Sequence, residues 1–240
     1  DVAAAGTRAI TVNNPAPGGG TSGSSTLTVN NPAPTLASIS PSSKIAGDLA
    51  FTVTANGTNF NTNSVVQLDG ASRTTAFVSA TQLTAQITAA DIASSGTRAI
   101  TVFNPAPGGG TSGPALNLTV NNPVPSLSSL NPNPVIFGTG AFTLTVNGSS
   151  FANGAQVSLD GANRTTSFVS STQLSAAITA ADIAAIGTRS ITVLNPSSSG
   201  PSAALTLAVN NPVPALTSLD PGNAVVGEAA RKVHAEGKEM

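Results

Sequence analysis

The sequence predicts an all-β chain of tandem antiparallel β-sandwiches arranged as a rod. Three observations carry that expectation. Apolar residues alternate with Thr and Ser at a period of two, the pattern recurs about every 90 residues, and proline-rich links separate the copies.

The elements of one copy follow in order. Phe51, Val53 and Ala55 point one way and Thr52 and Thr54 the other, as in a half-buried strand; Phe142, Leu144 and Val146 repeat the pattern. Val66 and Leu68, repeated as Val157 and Leu159, lead into Asp69-Gly70 and Asp160-Gly161. Asp-Gly between apolar runs marks a tight hairpin, because Gly takes the positive φ such a turn requires. Leu83, Ala85 and Ile87 form the next strand, then Ile100 and Val102, then Leu116, Leu118 and Val120. Thr fills the outward positions, being β-branched yet polar. Thr88-Ala-Ala-Asp-Ile-Ala offers a single helical turn. About seven short strands in 90 residues is the signature of an immunoglobulin-like sandwich.

Repetition sets the domain plan. Asp1-Val-Ala-Ala-Ala-Gly-Thr-Arg-Ala-Ile-Thr-Val12 returns with small changes from Asp91 and again from Asp182, and Asn-Asn-Pro recurs at Asn30, Asn121 and Asn210. Residues 1–32 read as the C-terminal half of a repeat, 33–123 and 124–212 as complete repeats, and 213–240 as the N-terminal part of a further one. Asp1 falls mid-repeat. Two explanations stand: the 240 residues are a window on a longer chain, or the half-domains of successive copies complete one another by strand donation. The links Asn30–Pro34 and Asn121–Pro125 each hold two prolines, which restrain the backbone into short semi-rigid spacers. Pro107–Gly113 reads as a flexible hairpin loop that the second repeat replaces with Ser197–Pro201.

Composition narrows the function. Charged residues are 8% of the chain, against about 25% in soluble proteins, and the formal net charge is -1. No Lys/Arg cluster exists to neutralise phosphates, so nucleic acid is not an expected partner. No apolar run is long enough to span a bilayer, and no signal peptide is visible. Cys is absent, which removes disulfides, thiolate metal sites and Cys nucleophiles. Trp and Tyr, the usual sugar-stacking side chains, are absent too.

Pro34-Thr-Leu-Ala-Ser-Ile-Ser-Pro41, Gly47, Phe51-Thr-Val-Thr-Ala-Asn-Gly-Thr-Asn-Phe60, Val65-Val-Gln-Leu-Asp-Gly70, Ser79-Ala-Thr-Gln-Leu-Thr-Ala85 and Gly96-Thr-Arg-Ala-Ile-Thr-Val102 occur in that order. The arrangement resembles the IPT/TIG immunoglobulin-like family, of the kind found in bacterial surface and secreted proteins. The second repeat departs mildly, with Gly148-Ser-Ser-Phe151. The resemblance implies fold more than function.

The search for chemistry starts from the few ionisable groups. Asp69, Arg73, Asp91 and Arg98 recur as Asp160, Arg164, Asp182 and Arg189. An acid/base carboxylate pair is one reading; turn chemistry and Asp–Arg pairing is the expected one. The sole His, His234, falls at a strand position matching Thr145, and no carboxylates cluster for calcium. Lys44 maps to Val135, so a Lys–Asn cross-link is not a repeated feature. Asn56, Asn117, Asn147 and Asn163 stand in Asn-x-Ser/Thr motifs. In the charged tail from Glu228 to Met240, Arg231 takes the place of Phe142, and a diverged strand is favoured over a helix. No catalytic, cofactor-binding or metal-binding residue is expected, and no enzyme. The expected role is structural or adhesive, outside the cell at a bacterial surface, as a stalk, fibre or filament. The expected partners are other copies of the chain or surface glycans and proteins, with no membrane insertion in this segment. The alternative is a spacer or ligand-binding module of a larger adhesin or secreted polysaccharide-acting enzyme.

Overall fold

The computed structural model describes residues 3–220, 222, 223, 225–227 and 232–238. Arg231 and Met240, singled out in the tail, lie outside the described residues. The chain divides into two units, residues 1–122 and 123–240. Strands carry both, as the alternating pattern predicts.

In the first unit, β1 (Gly6–Ile10) and β2 (Ser25–Val29) form an antiparallel pair. A sandwich follows, built from β3 (Thr35–Ser40), β4 (Ser43–Ile45), β5 (Phe51–Thr58), β6 (Val65–Leu68), β7 (Thr75–Ser79), β8 (Gln82–Ile87), β9 (Gly96–Asn104) and β10 (Leu116–Asn121). One sheet has the order β7-β8-β5-β3 and the other contains β4-β10-β9-β6. All pairs are antiparallel except β4 with β10, which is parallel. Short two-residue ladders extend the second sheet at Ala71–Ser72 and Gly110–Thr111.

The second unit repeats the plan with β11 (Ser126–Asn131), β12 (Val135–Ile136), β13 (Phe142–Ser149), β14 (Gln156–Leu159), β15 (Thr166–Ser170), β16 (Gln173–Ile178), β17 (Gly187–Leu194) and β18 (Leu205–Asn210). Its sheets run β15-β16-β13-β11 and β12-β18-β17-β14, with β12 parallel to β18. A last antiparallel pair joins β19 (Ala215–Asp220) to β20 (His234–Lys238).

The inward residues of each strand form one core per sandwich. In the first these are Leu36, Val53, Ala55, Val66, Leu68, Leu83, Ala85, Ile87, Ile92, Ile100, Val102, Leu118 and Val120, together with Phe60. A core this poor in aromatics fills space by setting small against large. Leu83 stands opposite Ala55 and Ala85 opposite Val53; in the second sandwich Ala176 stands opposite Leu144. Each fully buried Leu or Ile contributes about 1.5–3 kcal/mol.

Gly57 and Gly148 sit beside a bulge in the antiparallel pairing of the first and third strands of each sandwich. A methyl group at either would overlap a backbone carbonyl oxygen, of Thr35 or Ser126, and press on the Phe60 or Phe151 ring. The Asp-Gly hairpins are as expected: Asp69 and Gly70 have φ of 51° and 81°, and Asp160 and Gly161 of 49° and 83°. The Thr88 segment makes one 3-10 turn, Ala89–Ile92, and Thr179 precedes its twin, Ala180–Ile183.

β1 and β2 share the register of the equivalent pairs in the sandwiches. Gly6 faces Val29, as Gly96 faces Val120 and Gly187 faces Val209. Their surroundings differ. Ile10 is 50% and Leu27 48% exposed, whereas Ile100, Ile191, Leu118 and Leu207 are all 0% exposed. The apolar face that each sandwich buries is open in residues 6–29.

Candidate functional site

The ionisable groups of each sandwich gather at one connection, where the 3-10 turn meets the start of the ninth or seventeenth strand. Asp91 follows Thr88 by three residues, so its carboxylate folds back to cap the turn. Its Oδ2 accepts from the Thr88 N–H and hydroxyl, both at 2.9 Å. Arg73, placed by the hairpin beyond Asp69-Gly70, donates through Nε at 3.1 Å and Nη2 at 2.7 Å. Burial raises the Asp91 pKa, but the Thr88 N–H, the Thr88 hydroxyl and the guanidinium outweigh it and hold the carboxyl below its ordinary value. Arg164 and Asp182 repeat the pair at 3.0 and 2.6 Å, and the Thr179 N–H donates to Asp182 at 2.9 Å. There too burial is overcome, first by the Arg164 hydrogen bonds and then by Thr179, and the pKa is lowered.

The second pair is looser. Asp69 Oδ1 accepts from the Ala99 N–H at 2.7 Å, tying the hairpin to β9. Arg98 Nε stands 3.9 Å from Asp69 Oδ2 and donates to the Asp91 carbonyl at 2.9 Å. Asp160 and Arg189 match them at 3.8 Å. All four carboxylates are thus engaged by backbone N–H groups and guanidinium groups. These contacts are the Asp–Arg pairing and turn chemistry expected from the sequence. Lys44 pairs with Asp48 at 3.1 Å and lies over the Phe51 ring; its counterpart Val135 is buried in the core. His234 opens β20 opposite Asp220 and is exposed. Among the described residues, no three of His, Cys, Asp and Glu stand close enough to hold a metal ion.

Three Asn-x-Ser/Thr side chains are occupied by cross-strand hydrogen bonds; Asn163 Oδ1 accepts from Ser158 Oγ at 2.7 Å. Asn56 donates to Ser38 Oγ at 3.2 Å and accepts from Gln82 at 3.0 Å; Asn147 does the same between Ser129 and Gln173.

A buried Asn in each repeat went unremarked in the sequence. Asn104 is 0% exposed; its amide donates to the carbonyls of Pro32 at 3.0 Å and Asn59 at 2.7 Å, and its oxygen accepts from Ser64. Asn195 holds Pro123 and Ser150 in the same way. Each therefore fastens the proline link to the far end of the penultimate strand, β9 or β17. The recurring Asn-Pro at 104–105 and 195–196 was the available signal. Asn31 adds a second tie. Its N–H donates to Pro107 O at 2.7 Å, its carbonyl accepts from Gly109 N–H, and its amide donates to Pro105 O. The Gly-rich loop is pinned at its far end as well, since Ser112 exchanges hydrogen bonds with Val102. Ser202 and Val193 do the same despite the changed loop sequence.

Residues 34–120 and 125–209 match the IPT/TIG domain. The chain belongs to the IPT/TIG family. Its two TIG domains are the two sandwiches. No curated protein matches the sequence. Solved structures similar to the chain include a plexin A4 extracellular region (14% identity, TM-score 0.31), of which the chain spans 18% while 75% of the chain is covered. A structure with a xylogluco-oligosaccharide shows 16% identity and a TM-score of 0.48 over 86% of this chain and 47% of that one. The Yersinia pseudotuberculosis adhesin InvE shows 16% identity and a TM-score of 0.41 over 74% and 58%. These likenesses are too distant to add anything to the TIG assignment.

Proposed function

We propose that the chain is part of an extracellular structural and adhesive array, a stalk, fibre or filament at a bacterial surface, and that it catalyses no reaction. The observation that carries this reading is the repeated tie between each proline link and the domain that follows it, through Asn104 and Asn195. Such a tie makes each link part of the domain that follows it, so every repeat carries its own link and repetition builds length. The carboxylates support the same view, because Asp69, Asp91, Asp160 and Asp182 are all committed to structural hydrogen bonds.

Residues 1–32 and 213–240 are, on this proposal, the back and front parts of further TIG domains. Ends of two copies brought head to tail would supply counterparts of β3, β5, β9 and β10. They would lack counterparts of β6 and β8, which give Val66, Leu68, Leu83, Ala85 and Ile87 to the core.

Small-angle scattering on the purified chain tests the stalk. Insertion of a further copy of residues 33–123 should lengthen the particle by one domain along a single axis. A particle that grows equally in all directions would overturn the reading.

A second reading, a ligand-binding module, has one observation of its own. A cleft of about 380 Å³ lies in the first unit among Asn31, Asn61, Asn63, Phe77 and Pro105. Its amides and half-exposed ring suit a short glycan or peptide. Binding on a glycan array that Phe77→Ala and Asn63→Ala abolish would favour it over a purely structural role.

A further inference from the structure

Each TIG domain has one edge strand without the usual guards. β7 and β15 are terminal in their sheets and pair on one side only, with β8 and β16. The strands at the opposite edge, β3 and β11, are bracketed by Pro34 and Pro41 and by Pro125 and Pro132. Residues 74–80 and 165–171 contain neither proline nor charge. Charge and proline are the usual means by which an edge strand is kept from pairing. Only a bulge is present, beside Val78 and Val169. Apolar side chains stand in the open there: Phe77 is 40% and Val78 53% exposed, and Phe168 and Val169 are 40% and 56%.

We propose that β7 and β15 are self-association strands, each pairing with the same strand of a second copy. The strands are self-complementary. Antiparallel pairing about Phe77 sets Thr75 against Ser79, Ala76 against Val78, and Phe77 against itself. About Phe168 it sets Thr166 against Ser170 and Ser167 against Val169. Hydroxyl meets hydroxyl and ring meets ring, the pairings that favour adjacent antiparallel strands. The contact has two-fold symmetry and closes on itself at each strand. A formal net charge of -1 gives copies little reason to repel. Five residues and a bulge make a short interface, so the association is reversible. It is independent of the stalk reading: a stalk need not bundle, and a compact chain could still pair.

The test uses the full chain. Sedimentation velocity should show association that grows with concentration up to the millimolar range. Ala76→Lys with Ser167→Lys, at exposed positions, should weaken it about tenfold while leaving the circular dichroism unchanged. The chain has no Cys, so Phe77→Cys reports the register directly. It should form a disulfide-linked dimer under mild oxidation far faster than Thr52→Cys in the central strand β5. The proposal is overturned if the chain stays monomeric, if the Lys variant associates as strongly, if both Cys variants cross-link at equal rates, or if the edge captures unrelated extended peptides but not its own kind.

Discussion

Replacing Asp91 by Ala removes the acceptor at the centre of the first domain's charged cluster. Two hydrogen bonds from Thr88 and two from Arg73 are lost together. The cap accounts for about 1 kcal/mol, and the charged, largely buried pair for about 1.5–3 kcal/mol. The Arg73 side chain, 18% exposed, is left without its counter-ion. A loss of about 3 kcal/mol is expected, which lowers the melting temperature of a 90-residue domain by roughly 12–24 °C. With no Trp or Tyr to report unfolding, far-UV circular dichroism in urea and differential scanning calorimetry are the suitable assays. Asp182→Ala should shift the other transition by a similar amount, which assigns each transition to its domain. Arg73→Ala combined with Asp91→Ala should show coupling of about 1–2 kcal/mol. A cost for Asp91→Ala below about 0.5 kcal/mol, within the range of ordinary surface changes, or strict additivity with Arg73→Ala, would refute the assignment.

Acid should act through the same carboxylates. Because Asp91 and Asp182 have lowered pKa values when folded, their contribution is complete above the unfolded value of about 4 and disappears as the pH falls through the lower folded value. Melting temperatures should therefore hold from neutrality and decline under strongly acidic conditions, less so in the Asp91→Asn, Asp182→Asn double variant; a rise on acidification would contradict this. Gly57→Ala and Gly148→Ala should each cost about 1–3 kcal/mol by overpacking, while Gly140→Ala, whose added methyl meets nothing, should stay within about 0.5 kcal/mol; chemical denaturation separates them. Asn104→Ala strips the Pro32 and Asn59 carbonyls of their donor and should cost about 1–3 kcal/mol, with faster amide exchange around residues 31–33 and 59–64; unchanged exchange there would remove Asn104 from the link.

Strand placement was legible because a sandwich core demands strict alternation, and Phe51-Thr-Val-Thr-Ala shows it openly. Asp69-Gly70 was legible because few residue pairs accept two positive φ angles in succession. The partners of Arg73 and Arg98 were not, since pairing across 18 and 29 residues is decided by where the hairpin and the 3-10 turn end up in space. Asn104 and Asn195 escaped notice because Asn beside Pro ordinarily signals an exposed turn. Here the same residue is buried by three partners from distant segments. The TIG resemblance rested on motif order over nearly the whole chain, and the match over residues 34–120 and 125–209 establishes it.

The parallel pairing of β4 with β10 and of β12 with β18 has a mechanical consequence. In a parallel pair, the incoming end of one strand and the outgoing end of the other lie at opposite ends of the ladder. Tension applied across a domain therefore strains the rungs in shear, all at once, instead of unzipping them in sequence. The first domain has three such residue pairs, Thr119 with Ser43, Val120 with Lys44 and Asn121 with Ile45; the second has two, Val135 with Val209 and Ile136 with Asn210. With one residue pair fewer, the second domain is expected to yield at the lower force when both are pulled in series, an order that single-molecule stretching reads directly.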